Sequence, residues 1–214
     1  MKEIFTAHKH LFISFVTLWL TGFVYWCING KEAAFLIING AHTPFFDFAM
    51  PIFTLLGEFY LLIPMLLFVT LRNVKVGVGM AISYACASSI TQVLKFCAPW
   101  HNDRPVLYFY QDTRVHYIAN YFNSVSHSFP SGHTTLVFSV MMYLALTVKQ
   151  FSLQFYCLSI ATIVAYSRVY LAQHFVEDVL AGSLIGTTFA VLTMVLFTNN
   201  PRINHSYLNK SYIA

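Results

Sequence analysis

The sequence predicts an all-α polytopic membrane protein: about six transmembrane helices in a bundle, forming one integral membrane domain over residues 1–214, with the functional site at the outer (periplasmic) face. Three observations predict it. The chain is 57% hydrophobic and only 9% charged. Soluble domains carry about 25% charged residues, so a bilayer is the solvent that this much apolar surface requires. Apolar stretches near the ~20 residues that a bilayer demands recur along the chain. Finally, the ionisable residues of those stretches gather at one set of their ends.

The expected spans are residues 11–29, 48–71, 76–94, 133–148, 153–171 and 175–198. The first has the length of a signal peptide or more, but no small-residue cleavage site follows it; the next residues are Gly30, Lys31 and Glu32. It therefore reads as an uncleaved anchor. The second contains Glu58, a carboxylate at membrane depth and so a candidate for function. The fourth is short for a span. No linker, repeat or low-complexity segment divides the chain.

Orientation follows from Lys and Arg in the short loops. One side would hold Lys2, Lys9, Arg72, Lys75, Lys149, Arg202 and Lys210, and the other Lys31, Lys95, Arg104, Arg114 and Arg168. The bias sharpens when Lys95, Arg104 and Arg168 are set aside as residues with another role. Both termini are then cytoplasmic and the loop 96–131 faces outward. That loop carries Trp100, Tyr108, Phe109, Tyr110, Tyr117, Tyr121 and Phe122, which suit an interfacial aromatic belt or a wall that holds lipid.

The outer span ends share a distinctive set of side chains. Lys95 closes span three and Arg104-Pro105 follows it; His133 opens span four; Ser167-Arg168 closes span five; His174 and Asp178 open span six. Three cations converging on one place suit a phosphate, because Arg offers a planar fork of donors and Lys a point charge. The stretch Pro130-Ser131-Gly132-His133 suits the same ligand. Proline can begin a helix, glycine lets a ligand approach the backbone, and the unpaired amides of a helix N-terminus bind anions. His174 and Asp178, four residues apart, share a helix face. A carboxylate on one ring nitrogen fixes the tautomer and leaves the other nitrogen nucleophilic, while His133 can give a proton to a leaving oxygen.

Taken together, Lys95 with Arg104-Pro105, the Pro130–His133 stretch, and Ser167-Arg168 with His174 and Asp178 resemble the three motifs of the type 2 phosphatidic acid phosphatase superfamily of membrane lipid phosphatases. The third motif matches in full. The first departs from the family pattern, with eight rather than six residues between lysine and arginine, which makes Lys95 the least secure member. The resemblance implies a lipid phosphatase without a metal or other cofactor. In it His174 attacks phosphorus to give a phosphohistidine, Asp178 orients His174, and His133 protonates the leaving group and then activates water. Lys95, Arg104, Arg168, Ser131 and the Gly132 amide would hold the phosphate oxygens. Undecaprenyl pyrophosphate, phosphatidylglycerol phosphate, phosphatidic acid and lipid A are the candidate substrates, and the bilayer is the expected partner, with no nucleic acid. Compact size and short loops suggest a bacterial inner membrane. A lipid phosphotransferase using the same intermediate remains open on these residues. A transporter is disfavoured, because its ionisable groups would lie near the midplane in broken helices or inverted repeats.

The remaining polar residues call for less. Asp103 and Asp112 read as solvated loop charges, and His101, His116 and His127 as loop histidines. Cys27, Cys86, Cys97 and Cys157 show no paired spacing and are expected as free thiols. The glycosylation patterns at Asn204 and Asn209 fall on the expected cytoplasmic tail and read as chance matches.

Overall fold

The computed structural model describes residues 2–97, 103–118 and 127–200. Trp100, His101, Tyr121, Phe122, Arg202, Lys210 and both glycosylation patterns lie outside the described residues, as does the side chain of Cys97. The described residues are helical wherever they are regular. The helices are α1 (Lys2–Ala7), α2 (Lys9–Gly40), α3 (Pro44–Leu55), α4 (Phe59–Arg72), α5 (Val74–Cys97), α6 (Pro105–Tyr108), α7 (Gly132–Thr147), α8 (Phe151–Tyr170) and α9 (Val176–Asn199).

By length and apolarity, α2, α5 and α9 can each cross a membrane, and the α3–α4 pair makes a fourth if its two arms count as one span. Two expected spans fall short of that standard for physical reasons. α7 has only 16 residues, but eleven of them are buried and none is fully exposed, since α5, α8 and α9 pack around it. A helix apolar on all sides is at home in a bundle centre. α8 has the length, yet mixes Gln154, Ser167 and Arg168, all buried, into its sequence.

Two further expectations are corrected. Span one continues beyond Asn29 as α2, which kinks at Gly30 (φ 73°, ψ 177°) and runs on to Gly40. The positive φ favours glycine, whose missing Cβ removes the usual penalty. Span two is broken at residues 56–58, and its arms differ in direction by 52°. Each arm also contains a proline, Pro51 and Pro64.

The tightest packing is between α7 and α9. A side chain at Gly182 would run into the Ser131 carbonyl at 2.8 Å, and one at Gly186 into the Thr135 carbonyl and the Phe138 side chain. Small residues here let two backbones approach closely, the usual way membrane helices gain packing energy. Tyr143 on α7 lies over Gly79 of α5 in the same manner. The outside of the bundle is apolar: Ile13, Ile28, Phe68, Phe155 and Leu196 are all exposed, as expected of a surface that lipid covers.

At the end where α8 stops and α9 starts, the segment of α2 beyond its kink lies across the α9 N-terminus. Lys31 Nζ sits 4.2 Å from the Phe175 ring centroid and 3.7 Å from Glu177 Oε1, and Tyr108 hydroxyl donates to Glu32. Behind this contact Phe35 stacks on Phe109 and meets Phe175 edge-on. Part of the expected aromatic belt is thus internal: Phe109 is buried, whereas Tyr110 is exposed. Cys27, Cys86 and Cys157 are free.

Candidate active site

Four helix ends meet here: the C-termini of α5 and α8 and the N-termini of α7 and α9. The turn joining α8 to α9 sets their spacing. Ala172 adopts φ 54°, and the amides of Gln173 and His174 both donate to the Arg168 carbonyl, at 3.0 and 3.2 Å. His174 is thereby held beside the α9 N-terminus, almost fully buried.

Its ring donates Nδ1–H to Asp178 Oδ2 at 3.3 Å. The same oxygen accepts the Phe175 amide at 2.9 Å and the Ser128 hydroxyl at 2.5 Å. A carboxylate holding three donors is fixed in place, and with it the ring orientation and the tautomer. Nε2 is the ring nitrogen left for chemistry. Burial pushes the His174 pKa well below 6.5, and Arg104, Arg168, Lys95 and His133 push it the same way. The ring is therefore a neutral base near neutrality, as a nitrogen nucleophile must be.

The structure brings all three expected cations to this end. Arg104 donates to Gln173 Oε1 at 3.0 Å, next to His174. Arg168 is buried and donates to Thr54 Oγ1 at 2.7 Å. Lys95 donates to the His127 carbonyl at 2.8 Å, just before the Pro130–His133 stretch. The longer first motif thus still delivers its lysine to the site.

That stretch is arranged differently from the sequence expectation. Pro130 follows a cis peptide bond and precedes the helix; Ser131 is the N-cap and Gly132 the first helical residue. The Ser131 side chain is fully buried and accepts from the Thr134 amide at 3.4 Å and the Thr134 hydroxyl at 2.9 Å. The first amides of α7, at Gly132 and His133, have no helical partner, which is the condition for anion binding. A side chain at Gly132 would meet nothing within 4 Å, so open space lies beside this backbone. The α7 and α9 starts are tied by the Ser131 amide, which bonds the Asp178 carbonyl at 3.0 Å. His133 Nε2 lies 2.7 Å from Glu58 Oε1. Glu58, singled out in the sequence for its depth, stands at the N-cap position of α4, at the break in the α3–α4 pair, with its side chain turned to His133 rather than to the helix amides.

Three residues of this arrangement escaped sequence reading: Ser128, Gln173 and Thr54. Ser128 and Gln173 flank recognisable motifs without belonging to a helical period. Thr54 lies four residues before Glu58, a spacing that would have flagged it had the break been foreseen.

Among the described residues, one group could offer three metal ligands: His42, Asp47 and His116. Its imidazoles are stacked, with centroids 4.0 Å apart and planes 12° from parallel. Asp47 Oδ1 is already engaged by His116 Nε2 at 2.8 Å and by the Tyr170 hydroxyl. The group therefore ties α3, the 109–118 segment and α8 together. Asp112, expected as a solvated charge, is bidentate with exposed Arg114, at 2.7 Å for the shortest contact.

The sequence model of the PAP2 superfamily matches residues 73–202, more than half of the chain. The chain belongs to the PAP2 superfamily. The match takes in α5, α7, α8, α9 and all three motifs, and leaves out α2, α3 and α4. Similar proteins include a lipid A 4'-phosphatase of Bacteroides thetaiotaomicron, 27% identical over 165 residues, covering 71% of this chain and 69% of that protein. An undecaprenyl-diphosphatase of Sulfolobus acidocaldarius is 29% identical over 153 residues, 68% of each chain. The crystal structure of Aquifex aeolicus LpxE superposes with a TM-score of 0.70 at 25% identity, covering 77% of this chain and 94% of that one. That of a transmembrane PAP2-type phosphatidylglycerolphosphate phosphatase from Bacillus subtilis superposes with a TM-score of 0.64, at 24% identity, over 88% and 98% of the two chains. The structural likeness thus covers more of the chain than the 73–202 region matched by the family model.

Proposed function

We propose that this PAP2 protein is a membrane lipid phosphatase that hydrolyses a lipid phosphate or pyrophosphate through a phosphohistidine. One observation carries the reading: a buried His174–Asp178 pair lies among Arg104, Arg168 and Lys95, whose charges all bear on the His174 ring. The similarity to a lipid A 4'-phosphatase and an undecaprenyl-diphosphatase supports lipid-linked phosphate as the substrate class.

His174 Nε2 attacks phosphorus while the P–O bond to the lipid breaks, and Asp178 holds Nδ1–H throughout. His133 gives its proton to the departing oxygen. Water then attacks the phosphohistidine, the N–P bond breaks, and the proton of that water returns to His133. Lys95, Arg104, Arg168 and the Gly132 amide neutralise the phosphoryl oxygens. Ser131 contributes chiefly by capping α7, which aims that amide. The reaction needs no metal in this scheme.

The bundle would cross the bilayer six times, using α2, the α3–α4 pair, α5, α7, α8 and α9. Both termini would be cytoplasmic, and the site would face the periplasm from a bacterial inner membrane. A cysteine in place of Asp112, with native cysteines removed, should then react with an impermeant thiol reagent in intact cells; labelling only after lysis contradicts the topology.

The test of function is phosphate release by purified protein in detergent from undecaprenyl pyrophosphate, phosphatidylglycerol phosphate, phosphatidic acid and lipid A, each with excess EDTA. Turnover of at least one of them in chelator is expected. Turnover that requires a divalent ion would overturn the cationic phosphate site.

A further inference from the structure

The break in the α3–α4 pair is the least explained feature of the fold. A break in a spanning helix is tolerated only where protein meets its backbone groups, and here the amides of Leu56, Gly57 and Glu58 donate to the carbonyls of Phe53, Thr54 and Leu55. Such a break persists where it lines a site. The residues on either side of this break do so. Thr54, fully buried, accepts from Arg168 at 2.7 Å. Glu58, four residues on, meets His133 Nε2 at 2.7 Å. Gly57 lets the break lie close: a Cβ there would be 2.9 Å from Val164 Cγ1 and 3.4 Å from His133 Cβ. This part of the chain precedes the region matched to the PAP2 sequence model.

We propose that Glu58 is the positioning residue of His133: it holds Nε2–H of the ring, so that Nδ1 is the nitrogen that exchanges protons with the substrate. The proposal rests on the reading of His133 as acid and base. A free imidazole has two tautomers and a rotating ring, and only one arrangement serves proton transfer. A carboxylate on one nitrogen selects both. Glu58 also supplies a negative charge beside the imidazolium form, in a site otherwise rich in cations. The proton delivered to the leaving oxygen comes from Nδ1 and is replaced there from the attacking water. Glu58 stays ionised and keeps its bond to Nε2–H in both half-reactions. The site then contains two histidine–carboxylate pairs, one for the nucleophile and one for the acid.

The experiment compares Glu58→Ala, Glu58→Gln, His133→Ala and the Glu58→Ala/His133→Ala double variant, purified in detergent, on a short-chain phosphatidic acid and on p-nitrophenyl phosphate. Glu58→Ala should lower kcat on the alkyl ester roughly 10- to 100-fold, and on the aryl ester, whose leaving group needs little protonation, by less than about 3-fold. The double variant should be no slower than His133→Ala, because Glu58 acts only through that ring. Glu58→Gln, whose amide oxygen can still accept from Nε2–H, should fall between Glu58→Ala and wild type. Equal losses on both esters, or additive losses in the double variant, would overturn the proposal. Histidine-¹⁵N NMR provides a readout that needs no turnover. The Nε2–H tautomer of His133 should dominate in wild type and Glu58→Gln, and mix with Nδ1–H in Glu58→Ala. If the wild type hydrolyses neither ester nor any of the other lipid phosphates named above, but this tautomer depends on Glu58, the phosphatase reading fails and the pairing stands. If the tautomer is indifferent to Glu58, the pairing itself fails.

Discussion

Two histidines serve this site, and each leans on a carboxylate, but the pairs are built in different ways. His174 and Asp178 are four residues apart at one helix start, with 1% and 2% of their side chains exposed. Their contact is long, 3.3 Å, and Asp178 shares its oxygen with Ser128 and Phe175. His133 and Glu58 come from different helices, 75 residues apart, meet at 2.7 Å, and are 25% and 16% exposed. The difference suits the work that the proposed mechanism gives each ring. A nucleophile must stay neutral and immobile, which burial and an over-determined carboxylate achieve. An acid that later becomes a base must trade protons with water, which partial exposure allows. In the proposed mechanism, the buried pair would serve attack and the more accessible pair proton transfer, a division of labour that the following substitutions test.

The comparison can be broken or sharpened by substitution, beginning with the largest effect. His174→Ala should reduce turnover by at least about 10⁴-fold on every substrate, since no leaving-group quality replaces the attacking nitrogen. Asp178→Asn should cost less, on the order of 10²- to 10⁴-fold, because the ring remains but its tautomer is no longer enforced. The loss should be the same for alkyl and aryl esters, whereas that of His133→Ala, about 10²- to 10⁴-fold on alkyl esters, should shrink on aryl ones. If both variants showed the same leaving-group dependence, the division of labour would fail. Ser128→Ala removes one of three donors from Asp178 and should cost roughly 10-fold in kcat, as expected for a hydrogen bond to a charged group. Matched kinetics with and without Ser128 would show that the Phe175 amide and the His174 ring suffice to fix Asp178.

The buried pair also predicts a pH effect on stability. The folded-state pKa of His174 lies below 6.5, so above 6.5 the ring is neutral in both states and the full stabilisation is present. As pH falls below 6.5, the unfolded chain gains a proton that the folded chain refuses, and stability declines until the folded value is reached. Melting in detergent at pH 7.5 and 5.5 should show a larger drop for wild type than for His174→Asn. An equal drop would mean that His174 is not held neutral.

How much of this could be read in the sequence depended on how far apart the partners lie. His174 with Asp178 was legible because helical spacing alone brings them together. Lys95, Arg104 and Arg168 are legible as cations gathered at one set of span ends, where basic residues can also be anchors that snorkel to the interface, and it is their convergence that suits a shared anion. Glu58 was noticed for its depth, but nothing in a linear sequence assigns it to His133. Ser131 enters the site only through the family resemblance; the fold adds that its side chain caps α7. Pro130 was read as the first helical residue and instead precedes the cap. The break in span two was hidden because its arms remain apolar on both sides of Gly57. The central place of α7 was hidden too, since a short apolar run reads the same whether it faces lipid or other helices. Its contact with α9 gives a smaller, separate test of the packing: Gly186→Val should destabilise the protein by about 1–3 kcal/mol through overpacking against Thr135.

The account stands on His174 as the nucleophile, and trapping the intermediate tests it most directly. Purified protein would be mixed briefly with a lipid phosphate carrying ³²P in the transferred group, then denatured in alkali, which preserves phosphohistidine, and the label retained by the protein would be counted before and after acid. Wild type should retain acid-labile label, His133→Ala should retain it on an aryl ester, and His174→Ala should retain none. Label on His174→Ala at the wild-type level would place the nucleophile elsewhere and contradict the roles given to both pairs.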